Sequence, residues 1–439
     1  MRIAIFLGCI ILFINPSHSQ EFNTARLDSL LQILDENDRF MGSISVSKGD
    51  QLLYSNAVGF ADIKDQKKAT TETKYRIGSI TKMFTSVLIF KAIEDKKLDL
   101  ETTLDGFFPE IEKADEITIS DLLSHRSGIY NFTNSPTYPG WSTQKKSRKD
   151  MVKIIAQSSS IFDPGSKVEY SNSNFVLLTF ILEDVFKTSY KNLVEEKIAK
   201  PLSLSSTYVG SSIDPDNDEA HSYQFLGKWD KVSETDLSIP LGAGAIVSTP
   251  SDLTQFANAL FSGQLVSNES LDKMMELKDG FGRGLIRFPY YSDYLFGHTG
   301  GIDGFRSMLS YHLEDMLAFS LITSGSRFDV NSILLCALSC YYDKPYELPS
   351  FDFSDFNPED LDQYLGVYAS SQIPLKITVR KVSNGLTAQA TGQGAFNLDP
   401  SSEHTFRFDA AGIVMEFFPE KKEMILNQGG GKYQFKLQE

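Results

Sequence analysis

Cysteine is scarce in this chain, with three in 439 residues, and one of these, Cys9, lies inside an apolar N-terminal stretch. The other two, Cys336 and Cys340, are four apart in a segment that reads as a helix, a spacing that regular helix geometry holds poorly for a disulfide. With no histidine nearby to complete a metal set, buried thiols are the expected state. The six histidines, at 18, 125, 221, 298, 312 and 404, are too scattered for a metal motif. Neither a phosphate loop nor a dinucleotide fingerprint is present, so no cofactor and no metal are implied.

Positive charge is also short. Lys+Arg total 42 against 57 Asp+Glu, a formal net charge of -15. No basic stripe of the kind nucleic acid requires is present, nor a basic block for docking on anionic lipid. Long apolar runs are missing too: the longest, at residues 3–14, falls short of the roughly 20 residues that a membrane span needs. What surrounds that run is informative. Arg2 precedes it, and Pro16 and the small-x-small sequence Ser17, His18, Ser19 follow. Residues 1–19 therefore read as a secretory signal cut before Gln20, and Cys9 sits too early for a lipid-modified cysteine. The expectation is an exported chain, periplasmic or secreted, with no integral membrane segment after signal removal.

With 41% hydrophobic and 23% charged residues, the chain can bury a large core in more than one domain. Leu27, Leu30, Leu31 and Leu34 form a helical stripe, and residues 41–47 and 51–58 read as a hairpin turned at Lys48, Gly49 and Asp50. Residues 95–205 read as mainly helical. Strand patterns return at 294–298, 305–311 and 316–323, so helices inserted between early and late strands predict one mixed sheet assembled from both ends. Residues 341–360, with Pro345, Pro349 and Pro358, read as a linker. Beyond it, short strands at 364–369, 375–382, 386–390, 405–408, 412–418, 424–427 and 433–437 predict a small antiparallel barrel or sandwich. The expected division is 1–19 signal, 20–340 main domain, 341–360 linker and 361–439 β domain.

Ser79 and Lys82, three apart at the start of an apolar helix, are the strongest chemical signal. A helix brings such a pair onto one face, so the amine can help remove the hydroxyl proton of a nucleophile. Spacing alone does not single them out, because Ser45/Lys48, Ser142/Lys145 and Ser270/Lys273 share it. Ser45 and Lys48 lie on a strand, where an odd separation puts them on opposite sides. Ser142/Lys145 falls in a polar loop at 141–150, and Ser270/Lys273 on a charged helix whose face is simply solvated. Only Ser79 begins an apolar helix behind a permissive glycine, Gly78.

A nucleophilic serine needs a second proton carrier and an oxyanion site. Tyr170, Ser171 and Asn172 follow Asp163, Pro164 and Gly165 and read as a loop. There the Lys82 cation would make the Tyr170 phenol more acidic, and Asn172 could orient Lys82 and a substrate amide. Tyr54/Asn56 and Tyr190/Asn192 repeat the Tyr-x-Asn spacing, so position rather than pattern favours the triplet. His298, Thr299, Gly300 and Gly301 read as the end of a strand before a turn, where Gly301 could offer its amide, with that of Ser79, to an oxyanion.

Taken in order, these three elements resemble the serine hydrolases that share the fold of class C β-lactamases and DD-peptidases. Residues 75–82, 122–128, 164–174, 242–253 and 297–305 look like that family, and the likeness covers roughly residues 25–340. It implies an α/β, β-lactamase/transpeptidase-like mixed antiparallel sheet with a helical domain, plus a C-terminal all-β domain that is lipocalin-like in similar hydrolases. Carried over, it implies Ser79 as acylated nucleophile, Lys82 and Tyr170 as the proton network, and Asn172, His298 and Thr299 as substrate-binding. The Ser79 and Gly301 amides would form the oxyanion hole, and His125 matches a structural position. Lactamases of this family usually carry lysine where this chain has His298, and His-x-Gly resembles its DD-peptidases and D-aminopeptidases. A neutral imidazole attracts a penicillin carboxylate less than an ammonium does.

The resulting expectation is an exported acyl-enzyme hydrolase for a small molecule or peptide with a D-residue at the cleaved bond. An esterase or weak β-lactamase on the same residues is the alternative. A non-catalytic penicillin- or peptide-binding sensor is the alternative of another class. Arg283, Arg287 and Arg306 could anchor a terminal carboxylate, although solvation is the plainer role. The final β domain reads as a structural cap shaping access to the cleft.

Overall fold

The computed structural model describes residues 22–290, 293–351, 358–382 and 385–438. The expected signal and part of the expected linker lie outside the described residues.

Strands β1 (Phe40–Lys48) and β2 (Gln51–Val58) form the expected hairpin. Strands β3 (Ile286–Tyr290), β4 (Asp293–Ile302), β5 (Phe305–His312) and β6 (Leu317–Ser326) complete a six-stranded sheet of order β3-β4-β5-β6-β1-β2. The sheet does join the two ends of the sequence, through β1 against β6. It is not mixed, however, since every pairing in it is antiparallel. Only neighbours joined by tight turns, or brought back by the inserted domain, pair here, so no parallel crossover is needed.

The two faces of β1 explain its layers. Ile44 and Val46 point to a cluster with helices α1 (Ala25–Glu36) and the C-terminal Val330–Tyr341 helix, where Leu27, Leu30, Leu31 and Leu34 are all buried. On the opposite face the small residues Ser45 and Ser47 admit the Pro250–Phe261 helix, whose Asn258 Nδ2 donates to Ser47 Oγ at 2.8 Å. Cys336 and Cys340 are buried free thiols on the last helix.

Helix α2 (Thr81–Glu94) is buried on nearly every side, as a helix without a polar face must be. It packs against α3 (Asn172–Phe186). The region before α3 is less helical than its sequence suggests: between residues 95 and 147 short turns dominate, and the loop expected at 141–150 gives way at Ser147, whose side chain caps a helix over Arg148–Ala156.

The C-terminal strands close into an eight-stranded antiparallel barrel, from Gly366–Ala369 round to Gly431–Leu437. Closure satisfies the edge groups an open sheet would expose. Tyr364, Tyr368, Phe406 and Phe417 fill its interior. Barrel and main domain meet through Asp399, which accepts from both Arg39 and Arg327, and through Gln224 Nε2, which donates to the Ala395 carbonyl at 3.0 Å. Between them lies a groove of about 500 Å³ bordered by Phe225, Arg306, Arg327 and Phe396.

Candidate active site

The approach to Ser79 is held by a short strand. Tyr75 and Arg76 pair with Ser248 and Val247, and the Ile77 amide donates to the Ile246 carbonyl at 3.0 Å. Gly78 follows with φ +51, and a Cβ placed there would lie 2.7 Å from the Gly301 nitrogen. Only glycine combines that left-handed backbone with so close an approach. Ser79 then sits in a 3-10 turn, Gly78–Ile80, that runs straight into α2.

Lys82 is wholly buried on the first turn of α2. Its Nζ lies 3.0 Å from Ser79 Oγ, 2.8 Å from Asn172 Oδ1 and 2.7 Å from the Ala243 carbonyl oxygen. Burial holds its pKa well below the usual lysine range, since no carboxylate stands by to repay the lost hydration. A neutral amine has two N–H groups and one lone pair. Asn172 Oδ1 and the Ala243 carbonyl can only accept, so they take both N–H groups and leave the lone pair for the Ser79 hydroxyl proton. The Asn172 orientation that makes this possible is fixed from the other end, where its Nδ2 donates to Thr133 Oγ1 at 3.2 Å.

Tyr170 OH lies 2.7 Å from Ser79 Oγ. Its phenol is pushed up to about 12 by burial, against a smaller lowering from the Ser79 contact. The acidification expected from a neighbouring cation is therefore reversed. Burial raises the phenol directly, and it also neutralises Lys82, the cation that was to lower it. Tyr170 remains a proton donor at neutral pH. Its ring lies 4.4 Å from that of His125, whose Nδ1 accepts from the Ser171 amide at 3.2 Å. His125 thus braces the tyrosine from behind.

Asn172 is not in a loop but is the first residue of α3, and its amide donates to Asn131 Oδ1 at 3.1 Å. Nor is His298 at a strand end, because β4 continues to Ile302. Strand β3 pairs only as far as Gly297, so among the described residues the outer edge of β4 from His298 onward has no strand partner. His298 is buried, with Nδ1 at 2.5 Å from the Thr299 carbonyl, which assigns the proton to Nδ1. Burial holds its pKa down to about 3, so the imidazole is neutral. Thr299 is exposed on the opposite face, and Gly301 is exposed beside the Gly78 turn.

The structure thus brings together Ser79, Lys82, Tyr170 and Asn172 in direct contact, with Gly301 against the nucleophile turn and the His298 ring 6.4 Å from that of Tyr170. Of the three arginines, Arg283 is committed to Ser120 Oγ, the Lys273 carbonyl and Glu276, and Arg287 stacks 4.0 Å over the Tyr294 ring. Arg283 is thus held by the fold, whereas Arg287 is exposed, in keeping with a solvated role. Asn131, Thr133 and Ala243 were not singled out by sequence reasoning. A backbone acceptor such as Ala243 leaves no mark in residue type, although it falls in the 242–253 stretch.

Residues 28–332 match the beta-lactamase family profile. The chain belongs to the beta-lactamase family. This beta-lactamase-family chain is a serine hydrolase. Penicillin-binding protein 4* of Bacillus subtilis (strain 168) is 25% identical over 447 residues, spanning 92% of this chain and 97% of the relative. The D-amino acid amidase from Ochrobactrum anthropi SV3, in its complex with L-phenylalanine, superposes with a TM-score of 0.65 at 28% identity, over 72% of this chain and 98% of that one. The octameric penicillin-binding protein homologue from Pyrococcus abyssi shares the fold over 94% of this chain and 99% of its own, with a TM-score of 0.64 at 21% identity.

Proposed function

We propose that this beta-lactamase-family hydrolase is exported and cleaves amide bonds next to D-residues in small peptides or amino-acid amides, through an acyl-enzyme on Ser79. The observation that carries the chemistry is the hydrogen-bond arrangement at Lys82, which leaves its lone pair facing the Ser79 hydroxyl.

Lys82 Nζ takes the Ser79 proton as Oγ bonds to the substrate carbonyl carbon. The resulting oxyanion accepts from the Ser79 and Gly301 amides. Collapse breaks the C–N bond, the Tyr170 hydroxyl protonates the leaving nitrogen, and the proton that Lys82 took from Ser79 then returns the Tyr170 phenolate to its hydroxyl form. Water attacks the acyl-enzyme along the same path in reverse, restoring Ser79. The unpaired edge of β4 offers backbone groups for an extended substrate, which Asn172 and Thr299 flank.

The neutral His298 and the likeness to a D-amino acid amidase support a D-peptide or D-amide over a penicillin. Export is supported by the leader pattern at residues 1–19. An esterase or weak β-lactamase is the second reading, favoured by an oxyanion site that discriminates little between acyl groups. A parallel panel of D-Ala-D-Ala peptides, D-amino-acid amides, a penicillin and p-nitrophenyl esters, on wild type and Ser79→Ala, tests both. D-peptide or D-amide turnover that disappears in the variant is expected. Ester or penicillin cleavage without either D-substrate would establish the second reading.

A further inference from the structure

Arg76 lies three residues before Ser79, and its guanidinium is among the most deeply buried charges described, at 2% exposure. It makes four hydrogen bonds to three segments distant in sequence. Nη1 donates to Asp303 Oδ2 and to the Thr235 carbonyl, both at 2.9 Å. Nη2 donates to the Ser211 carbonyl at 2.9 Å and to Glu234 Oε2 at 3.0 Å. Asp303 completes a ring, because its Oδ1 accepts from the Thr235 amide at 2.8 Å.

Asp303 sits two residues beyond Gly301, at the tip of the tight β4–β5 turn, with φ +53. That left-handed backbone is ordinary for glycine and strains most other residues. The turn keeps it because both carboxylate oxygens are engaged. Arg76 and Asp303 therefore bracket the place where Gly78 packs on the Gly301 backbone. One holds the strand leading to the Ser79 amide, and the other holds the turn just past the Gly301 amide.

We infer that Arg76, acting through Asp303, is a positioning residue that sets the spacing between the Ser79 and Gly301 amides and so tunes their grip on the tetrahedral oxyanion. This rests on the oxyanion hole proposed above. Hydrogen-bond donors that are displaced by even part of an ångström lose their advantage for the transition state while still admitting the substrate. The clamp should therefore act on kcat more than on KM.

Asp303→Asn, which keeps size and turn preference but removes the charge, is the primary test. A p-nitrophenyl ester gives kcat and KM, and phenylboronic acid reports on the tetrahedral state, since boron bonds to Ser79 Oγ and carries the negative charge as the Ser79 proton passes to Lys82. The expected result is a kcat lower by about 10- to 100-fold, KM within about 3-fold, and boronate affinity weakened by a factor like that on kcat. Arg76→Ala should behave alike and regain part of its rate with added guanidinium ion; if it fails to fold, Asp303→Asn still decides. Unchanged kcat and boronate affinity in Asp303→Asn would overturn the inference, as would a fall in kcat with boronate affinity intact. Ester turnover surviving in Ser79→Ala would instead overturn the underlying reading of the site, and the clamp with it.

Discussion

The two domains bury polar groups in opposite ways. Around Ser79 the core is deliberately polar: Lys82, His125 and His298 are buried bases, and desolvation lowers the pKa of each. The barrel interior is aromatic and aliphatic, and its buried carboxylate, Asp399, turns outward to Arg39 and Arg327 of the main domain. In one region burial shapes proton affinity for chemistry, and in the other a buried charge fastens one domain to the next. Substitutions should therefore separate rate from stability according to the region they fall in.

The sharpest way to break that contrast is at the nucleophile. Ser79→Ala or Lys82→Ala should reduce kcat/KM for any true substrate by about 10⁴-fold or more, read from ester and D-amide hydrolysis. Ser79→Ala should leave the thermal midpoint close to wild type, because the side chain is small and only half buried. Tyr170→Phe comes next. It removes one proton donor and keeps the ring on His125, so the expected loss is about 10²- to 10³-fold with an amide. The loss should be smaller with a p-nitrophenyl ester, whose leaving group needs no proton. Equal losses on both would deny Tyr170 its role as the acid.

Asp399→Ala tests the other side. It leaves two guanidinia buried without their shared carboxylate, a change that costs about 3–5 kcal/mol when a buried pair loses one partner. Thermal unfolding and limited proteolysis between the domains should register it, while kcat for a small ester stays within a few-fold of wild type. A collapse in kcat at temperatures where the protein remains folded would show that the barrel's seating also shapes the cleft.

Much of the site was legible because its side chains carry distinctive chemistry at helical or loop spacings, as Ser79, Lys82, Tyr170 and Asn172 do. The sheet was legible from the hairpin pattern at 41–58 and the strand patterns at 305–311 and 316–323. What escaped did so for physical reasons. Strand β3 contains Pro289, which is tolerated because β3 is an edge strand, and proline there reads as a break. The barrel strand Phe396–Ser402 is missing from the expected strands because Asp399 and Pro400 interrupt its pattern. Its aspartate is buried only because two arginines more than 70 and 350 residues away converge on it. The sign of the Tyr170 shift was missed because charge can be counted in a sequence and burial cannot.

Acid should expose the smallest of these differences. His298 has a folded pKa of about 3 against an ordinary 6.5, so between those values the unfolded chain holds a proton that the folded chain does not. Stability then rises with pH across that window, by up to about 1.4 kcal/mol per pH unit for each such group, and is lost as pH falls from 6.5 toward 3. His125 adds to the slope in the same direction. Activity follows the same sign through Lys82, whose neutral amine is the working form: kcat/KM should fall as pH drops through its lowered pKa. It should show no alkaline limb from Tyr170 until pH nears 12. Urea unfolding of wild type and His298→Gln between pH 7 and 4 separates the terms. The variant should lose stability less steeply with acid and keep the Lys82 limb of the rate profile. Parallel stability slopes in the two proteins would mean that His298 keeps its proton on folding and is not the neutral group that disfavours a penicillin carboxylate.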